Sequence, residues 1–195
     1  MKPRLAPEQA GYRPAARFLH WLMVVLIFYQ LLAGVLMTYE GPEGNVWERI
    51  ASALRMYDGH KVLGLVLLAL VLVRIVYRLT QGAPDDEPTL EVWQRETSHM
   101  VHGWIYFLLV AVPLLGWIGI SLYPAVRVFE AFNLPSLVST PDKATSEVIM
   151  KVHAYAAFAL AGLIAMHIGG ALFHHFIRRD GVLRRMLPGL PPRDV

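Results

Sequence analysis

Four apolar segments, at residues 18–37, 62–79, 101–122 and 152–177, constrain this chain more than anything else in it. Each is near the ~20 residues that a helix needs to cross a hydrocarbon layer about 30 Å thick. A soluble domain of this length would show shorter, alternating or amphipathic runs. The 55% hydrophobic content and the mean hydropathy of +0.43 agree with that reading. The expectation is an all-α integral membrane protein, a four-transmembrane-helix bundle forming a single membrane domain over residues 1–195. Four spans leave room for one small bundle and little else.

The first segment is too long for the apolar region of a signal peptide. It also follows a polar leader and lacks a small-residue cleavage site, so it reads as a retained span. With no cysteine, disulfides, iron–sulfur clusters, covalent c-type haem and thiolate metal sites are excluded. Histidine must carry whatever metal chemistry the chain performs.

Four crossings put both termini on one side. Twelve of the 18 Lys and Arg residues fall on the tails and the second connection, six on the first and third connections. The positive-inside rule then predicts cytoplasmic N and C termini in a bacterial inner (plasma) membrane. The same bias accounts for the net charge of +3 and calls for no nucleic acid.

Outside the spans, residues 1–16 form a leader broken by Pro3, Pro7 and Pro14. The first outer loop is acidic and contains an amphipathic-looking piece, residues 46–57, suited to lie along the interface. The loop 80–98 carries the run Asp85-Asp86-Glu87 and reads as a solvated linker. The loop 123–151 brings Phe129 and Phe132 toward the headgroups. The tail 178–195 is basic and Pro-rich, which suits an anionic inner leaflet. Gly64, Gly116, Gly119, Gly162, Gly169 and Gly170 lie inside spans and suit close approach of a helix or of a flat macrocycle. Pro113 is expected to kink the third span.

His153 and His167 sit fourteen residues apart in the last span. Fourteen positions return a helix to within about 40° of its starting direction and advance it by roughly 21 Å. An intramembrane histidine is costly enough to suggest a function by default. His20 stands at the inner start of the first span and His60 at the outer start of the second. Depth therefore pairs His60 with His153 near the outer surface, and His20 with His167 near the inner one.

Two imidazoles per site, with no thiolate and no intramembrane carboxylate, are too few for zinc, which usually takes four protein ligands. They suffice for haem b, because the porphyrin supplies the other four nitrogens. The bundle is thus expected to enclose two b haems, with His20 and His167 on the inner iron and His60 and His153 on the outer one. The plainer reading, four packing or interfacial histidines, leaves their matched depths unexplained. Of the rest, His174 continues the ligand face toward the inner surface, while His99, His102 and His175 suit propionate, quinone or interfacial roles equally. Arg17, Arg74 and Arg78 on the inner side, and Lys61 and Lys151 beside the outer ligands, suit haem propionates. They equally suit snorkelling to lipid phosphates. Lys61 and Lys151 also suit attraction of a small anion to the outer haem.

These residues resemble those of the prokaryotic cytochrome b561 family. The matching pieces are Ala16-Arg17-Phe18-Leu19-His20-Trp21, His60-Lys61-Val62-Leu63-Gly64 with Arg74 and Arg78, and His99-Met100-Val101-His102. They continue through Pro113-Leu114-Leu115-Gly116 to His153, His167 and Phe173-His174-His175-Phe176, then Asp180-Gly181-Val182-Leu183-Arg184-Arg185-Met186. The likeness covers nearly the whole chain apart from the leader and loop details. It implies haem b at the same two histidine pairs and electron exchange with ubiquinone. In the superoxide oxidase type of the family, electrons pass from periplasmic superoxide to ubiquinone. The quinone site there uses a histidine matching His174 and a lysine in the loop between the second and third spans. Here that loop, 80–98, has no lysine and is acidic.

The function expected is therefore superoxide:ubiquinone oxidoreduction by a dihaem cytochrome b. The alternative is a cytochrome b subunit passing electrons between quinone and a separate dehydrogenase, hydrogenase or periplasmic carrier. A histidine-lined metal transporter would need a polar path at mid-membrane, and a mere anchor would leave the paired histidines without a role.

Overall fold

The computed structural model describes residues 11–38, 49–50 and 55–187. Four long helices dominate: α1 (Pro14–Thr38), α2 (Met56–Gln81), α3 (Val92–Leu122) and α4 (Lys143–Phe173). All four are long and apolar enough to cross a membrane. The architecture is an all-α four-helix membrane bundle, with one two-stranded hairpin as its only sheet among the described residues.

The helices outrun the apolar segments because polar first turns are capped. At α3, Gln94 Oε1 accepts from the Glu91 N–H at 3.0 Å, closing a capping box that starts the helix nine residues before the apolar run begins. At α4, Asp142 Oδ1 accepts from the Thr145 N–H at 3.1 Å. At its other end, α2 stops at Gly82, whose φ of 72° is the left-handed region open to glycine. Beyond Phe173, α4 loosens into one π-helical turn, His174–Arg178.

Backbone packing is closest between α3 and α4, then between α1 and α2 and between α2 and α3. By contrast, α4 makes no comparable backbone contact with α1 or α2. A buried cluster of Met23, Ile27, Leu67, Leu68, Val71, Leu109 and Leu160 fills the middle of the bundle. Large apolar side chains such as Phe28, Leu32, Val73, Phe107, Phe158 and Leu172 stay exposed on the helix surfaces. That is the arrangement expected where lipid is the solvent, since lipid tails give no drive to bury them.

The start of α1 and the segment after α4 meet at one end of the bundle. Arg17 Nη1 donates to the Leu187 carbonyl at 3.1 Å, and Trp21 Nε1 to that of Met186 at 2.9 Å. The acidic loop lies at the same end, and it is not simply solvated. Glu87 is 10% exposed and pairs at 3.8 Å with Arg185, itself 7% exposed. Arg178 adds an ion pair to Glu91 at 3.2 Å and a hydrogen bond to the Thr89 carbonyl. Only Asp85 and Asp86 keep to the surface, and Asp86 meets His99 at 3.0 Å. The sequence reading treated loop and tail separately, whereas the antiparallel bundle delivers their opposite charges to one place.

At the opposite end a hairpin forms from β1 (Arg127–Val128) and β2 (Phe132–Asn133), paired antiparallel. Phe129 and Glu130 turn it in the left-handed region, at φ of 50° and 57°. Arg55 holds the turn through Glu130 at 3.3 Å and lies over the Phe129 ring. The proposed interfacial piece 46–57 lies largely outside the described residues, as do leader residues 1–10 and tail residues 188–195.

Candidate functional site

Helix α4 presents two imidazoles at different levels, and each meets a partner from another helix. At the hairpin end, the His60 and His153 ring centroids are 6.1 Å apart with planes at 80°. At the terminal end, those of His20 and His167 are also 6.1 Å apart, with planes at 73°. Two rings bound to one metal from opposite sides, through bonds of about 2 Å, have centroids about 6 Å apart. Both pairs thus have the spacing that axial ligation requires. Each also bridges α4 to a helix with which it lacks close backbone packing.

Among the described residues, no three or more His, Asp, Glu or Cys side chains converge to hold a bare ion. Paired imidazoles fit a metal whose remaining ligands come with it, as in a macrocycle. The hairpin-end pair opens on a cavity of about 70 Å³ lined by Gly64, Leu65, Pro113, Gly116, Trp117, Ile120 and Met150. Gly116 lets the ring sit close: a Cβ on it would stand 3.1 Å from His153 Cε1, and the imidazole would have to give way by a few tenths of an ångström. Gly119 is similarly pressed by Met150, whereas added Cβ atoms at Gly162, Gly169 and Gly170 would meet open space.

The ring nitrogens are set by their neighbours. His153 Nδ1 lies 2.9 Å from the Val112 carbonyl, to which it donates, leaving Nε2 with a lone pair for a metal. On His60, Nδ1 is buried, and the Gln30 main-chain carbonyl is the ring's hydrogen-bonding neighbour. At the terminal end a third ring joins the pair: His102 lies 5.0 Å from His167, its Nδ1 donating to the Ser98 carbonyl at 2.6 Å. The sequence left His102 between several roles; the fold places it beside the His20–His167 pair.

The cationic candidates divide. Arg74 lies beside the terminal-end pair, donating from Nη1 to the Ala16 carbonyl at 2.7 Å and from Nε to the Tyr106 hydroxyl at 3.0 Å. Arg17 is half-buried and held by the Leu187 carbonyl, while Arg78 is exposed. Lys61 turns toward the hairpin, donating to the Arg127 carbonyl at 3.1 Å with Asp58 3.8 Å away. Lys151 is exposed beside His153.

His174 opens the π turn with its Nδ1 2.6 Å from Asp180 Oδ2, and both side chains are largely buried. His99 is exposed and bound to Asp86, and His175 lies against the Phe176 ring. Three neighbours were given no role by the sequence reading. Asp180 was submerged in a basic tail, and Tyr106 resembled any interfacial aromatic. Gln30 did leave a signal, a carboxamide inside an apolar segment, and the fold buries it against His60.

Residues 11–189 match the family described as prokaryotic cytochrome b561. Cytochrome b561 homolog 1 of Escherichia coli (strain K12) is 32% identical over 174 residues, which is 88% of this chain and 93% of the relative. Homolog 2 of the same organism is 28% identical over 186 residues, 93% of this chain and 92% of that protein. A protein from Yersinia pestis named probable superoxide oxidase CybB is 26% identical over 174 residues, 87% of this chain and 92% of its own length.

Proposed function

The chain belongs to the prokaryotic cytochrome b561 family, a family of membrane proteins that bind haem b and transfer electrons, and from that premise we propose a dihaem superoxide:ubiquinone oxidoreductase. His60 and His153 would hold one haem b, and His20 and His167 the other. Bound haem b supplies reversible one-electron iron chemistry at each level. The observation that carries this reading is the repeat of one geometry, two imidazole pairs at 6.1 Å on the same helix.

The terminal end would face the cytoplasm of a bacterial inner membrane, in keeping with twelve of 18 Lys and Arg on that side. The hairpin end would face the periplasm. Lys61, Lys151 and Arg127 add positive charge at the hairpin end of the bundle, which favours a small anion such as superoxide as donor. The name of the Yersinia pestis relative points the same way. Asp58, 3.8 Å from Lys61, and Glu130, paired with Arg55, offset part of that field.

At the terminal end, ubiquinone would dock beside His174. Reduction of a quinone consumes two protons with two electrons, so the site needs a proton donor in reach of the membrane surface. Asp180 holds the Nδ1–H of His174 and leaves Nε2 to meet a quinone oxygen. No lysine is present in the loop 80–98 to assist, and the arginine of the π turn, Arg178, is paired with Glu91. Arg74 and Arg17 would balance propionate charge at the inner site. Arg78 would do the same from the surface.

A haem-to-protein ratio with a reduced-minus-oxidised spectrum tests the reading, followed by superoxide added to oxidised protein and ubiquinone to reduced protein. Two b-type haems that superoxide reduces and ubiquinone reoxidises support it. Two haems indifferent to superoxide would shift the function to serving a separate dehydrogenase, hydrogenase or periplasmic carrier. Absence of haem would overturn it.

A further inference from the structure

The Arg74 side chain ties three helices together at the level of the terminal-end pair. From α2, its Nη1 donates to the Ala16 carbonyl on α1 at 2.7 Å, and its Nε to the Tyr106 hydroxyl on α3 at 3.0 Å. Both anchors stand one helical turn from a terminal-end imidazole. Ala16 precedes His20 by four positions, so its carbonyl is the one that closes the turn ending at His20. Tyr106 follows His102 by four positions, and the His102 ring lies 5.0 Å from that of His167. The guanidinium charge accordingly acts on the rings of both His20 and His167.

The two anchors hold different things. The Ala16 carbonyl is part of the α1 backbone, whereas Tyr106 supplies the side-chain acceptor that Arg74 has among the described residues. A guanidinium presents its donors in one rigid plane, so bonds at both Nε and Nη1 fix where the charge sits. With the Nε bond gone, only a pivot at Nη1 remains. Arg78, one turn farther along α2, shows the contrast: it is exposed, and water and salt screen its charge. Arg74 is half-buried, and its field reaches the rings with less screening.

We infer that Tyr106 is a positioning residue. Its hydroxyl pins the Arg74 charge beside the His20–His167 pair and so raises the reduction potential of the iron that this pair would hold. The inference rests on the proposed haem ligation by His20 and His167, and on neither the donor nor the quinone. The direction follows from charge. Reduction adds one electron and removes one positive charge at the iron, so a fixed cation nearby favours the ferrous state. Letting that cation swing toward water favours the ferric state and lowers the potential.

The test is a spectroscopic redox titration of the purified, haem-loaded protein in wild type, Tyr106→Phe, Arg74→Gln, the double variant and Arg74→Lys. The His20–His167 component is identified as the one lost in His167→Ala. Arg74→Gln should lower that component's midpoint, and Tyr106→Phe should lower it by less, with the other component unmoved. In the Arg74→Gln background, Tyr106→Phe should add no further shift, a result that a packing role for the ring would not produce. Arg74→Lys keeps the charge, but a single ammonium lacks the fork that spans both anchors. It should shift the midpoint in the same direction, and it keeps the question answerable if Tyr106→Phe does not assemble. Wild-type midpoints in both Tyr106→Phe and Arg74→Lys would overturn the role of Tyr106 while leaving two haems in place. So would an equal shift from Tyr106→Phe with and without Arg74. A single component in wild type would overturn the dihaem reading and this inference with it.

Discussion

Nδ1 of His174 lies 2.6 Å from Oδ2 of Asp180, across the turn that ends the last helix. The carboxylate is itself anchored, since its Oδ1 accepts from the Val182 N–H at 3.1 Å and its own N–H donates to the His174 carbonyl at 3.2 Å. Around the pair, Glu87 is committed to Arg185 and Glu91 to Arg178, so Asp180 is the carboxylate that orients this ring. Asp180→Asn keeps the size and removes the charge. Quinone turnover is expected to fall about tenfold, the order seen when a ligand's supporting partner is removed. Haem content and quinone KM should change little. His174→Ala should cost about a hundredfold, as loss of a general acid does, with partial recovery in free imidazole. Wild-type turnover in Asp180→Asn would remove the pair from quinone chemistry.

His153→Ala should halve the haem-to-protein ratio. The ring contributes one of two axial positions at the hairpin end, and the terminal-end pair lies roughly 21 Å farther along α4. Pyridine haemochrome quantification reads the outcome, and a variant retaining both haems would break the ligand assignment.

Glu87→Gln should destabilise the protein by about 3 kcal/mol, because it removes a largely buried carboxylate charge 3.8 Å from the buried Arg185 guanidinium. Limited proteolysis after residue 178 should accelerate in the variant. An unchanged thermal midpoint with an unchanged cleavage rate would mean that the loop and tail are held by other contacts.

Asp142 gives a pH prediction outside the spans. Side-chain and backbone hydrogen bonds from Thr145 hold its carboxyl below the usual carboxylate value. The folded value lies under the unfolded one, so the cap's stabilising effect is present above the ordinary carboxylate range. It fades as pH falls through the lowered folded value. The Thr145 amide resonance should therefore titrate at a pH below that of a free aspartate, and Asp142→Asn should abolish the titration.

Much of the fold is legible in hydropathy, because lipid demands long apolar runs and soluble folds do not. Helix ends are not: Val92 and Lys143 begin their helices in polar sequence, where caps decide and hydropathy is silent. The proximity of His20 to His167 and of His60 to His153 follows from depth alone, since antiparallel spans of similar length align their ends. Contacts that depend on rotation about a helix axis were hidden. Gln30 reaching His60, and His102 turning to His167, depend on which faces meet. The Glu87–Arg185 pair was hidden for another reason, as it joins two segments about a hundred positions apart whose charges separately suggested solvent and lipid.

The uninterrupted run of α4 from Lys143 to Phe173 carries one ring of each pair. Their separation is thus written into a single rod, and the neighbouring helices have no say in it. If the two pairs hold haem as proposed, rigid tilting or sliding of α1 or α2 would retune one site while the spacing of the two α4 rings stayed fixed. Only a bend within α4 itself, such as a proline placed near Leu160, would lengthen or shorten the tunnelling path. A substitution of that kind should change the rate of equilibration between the sites while leaving their individual spectra intact.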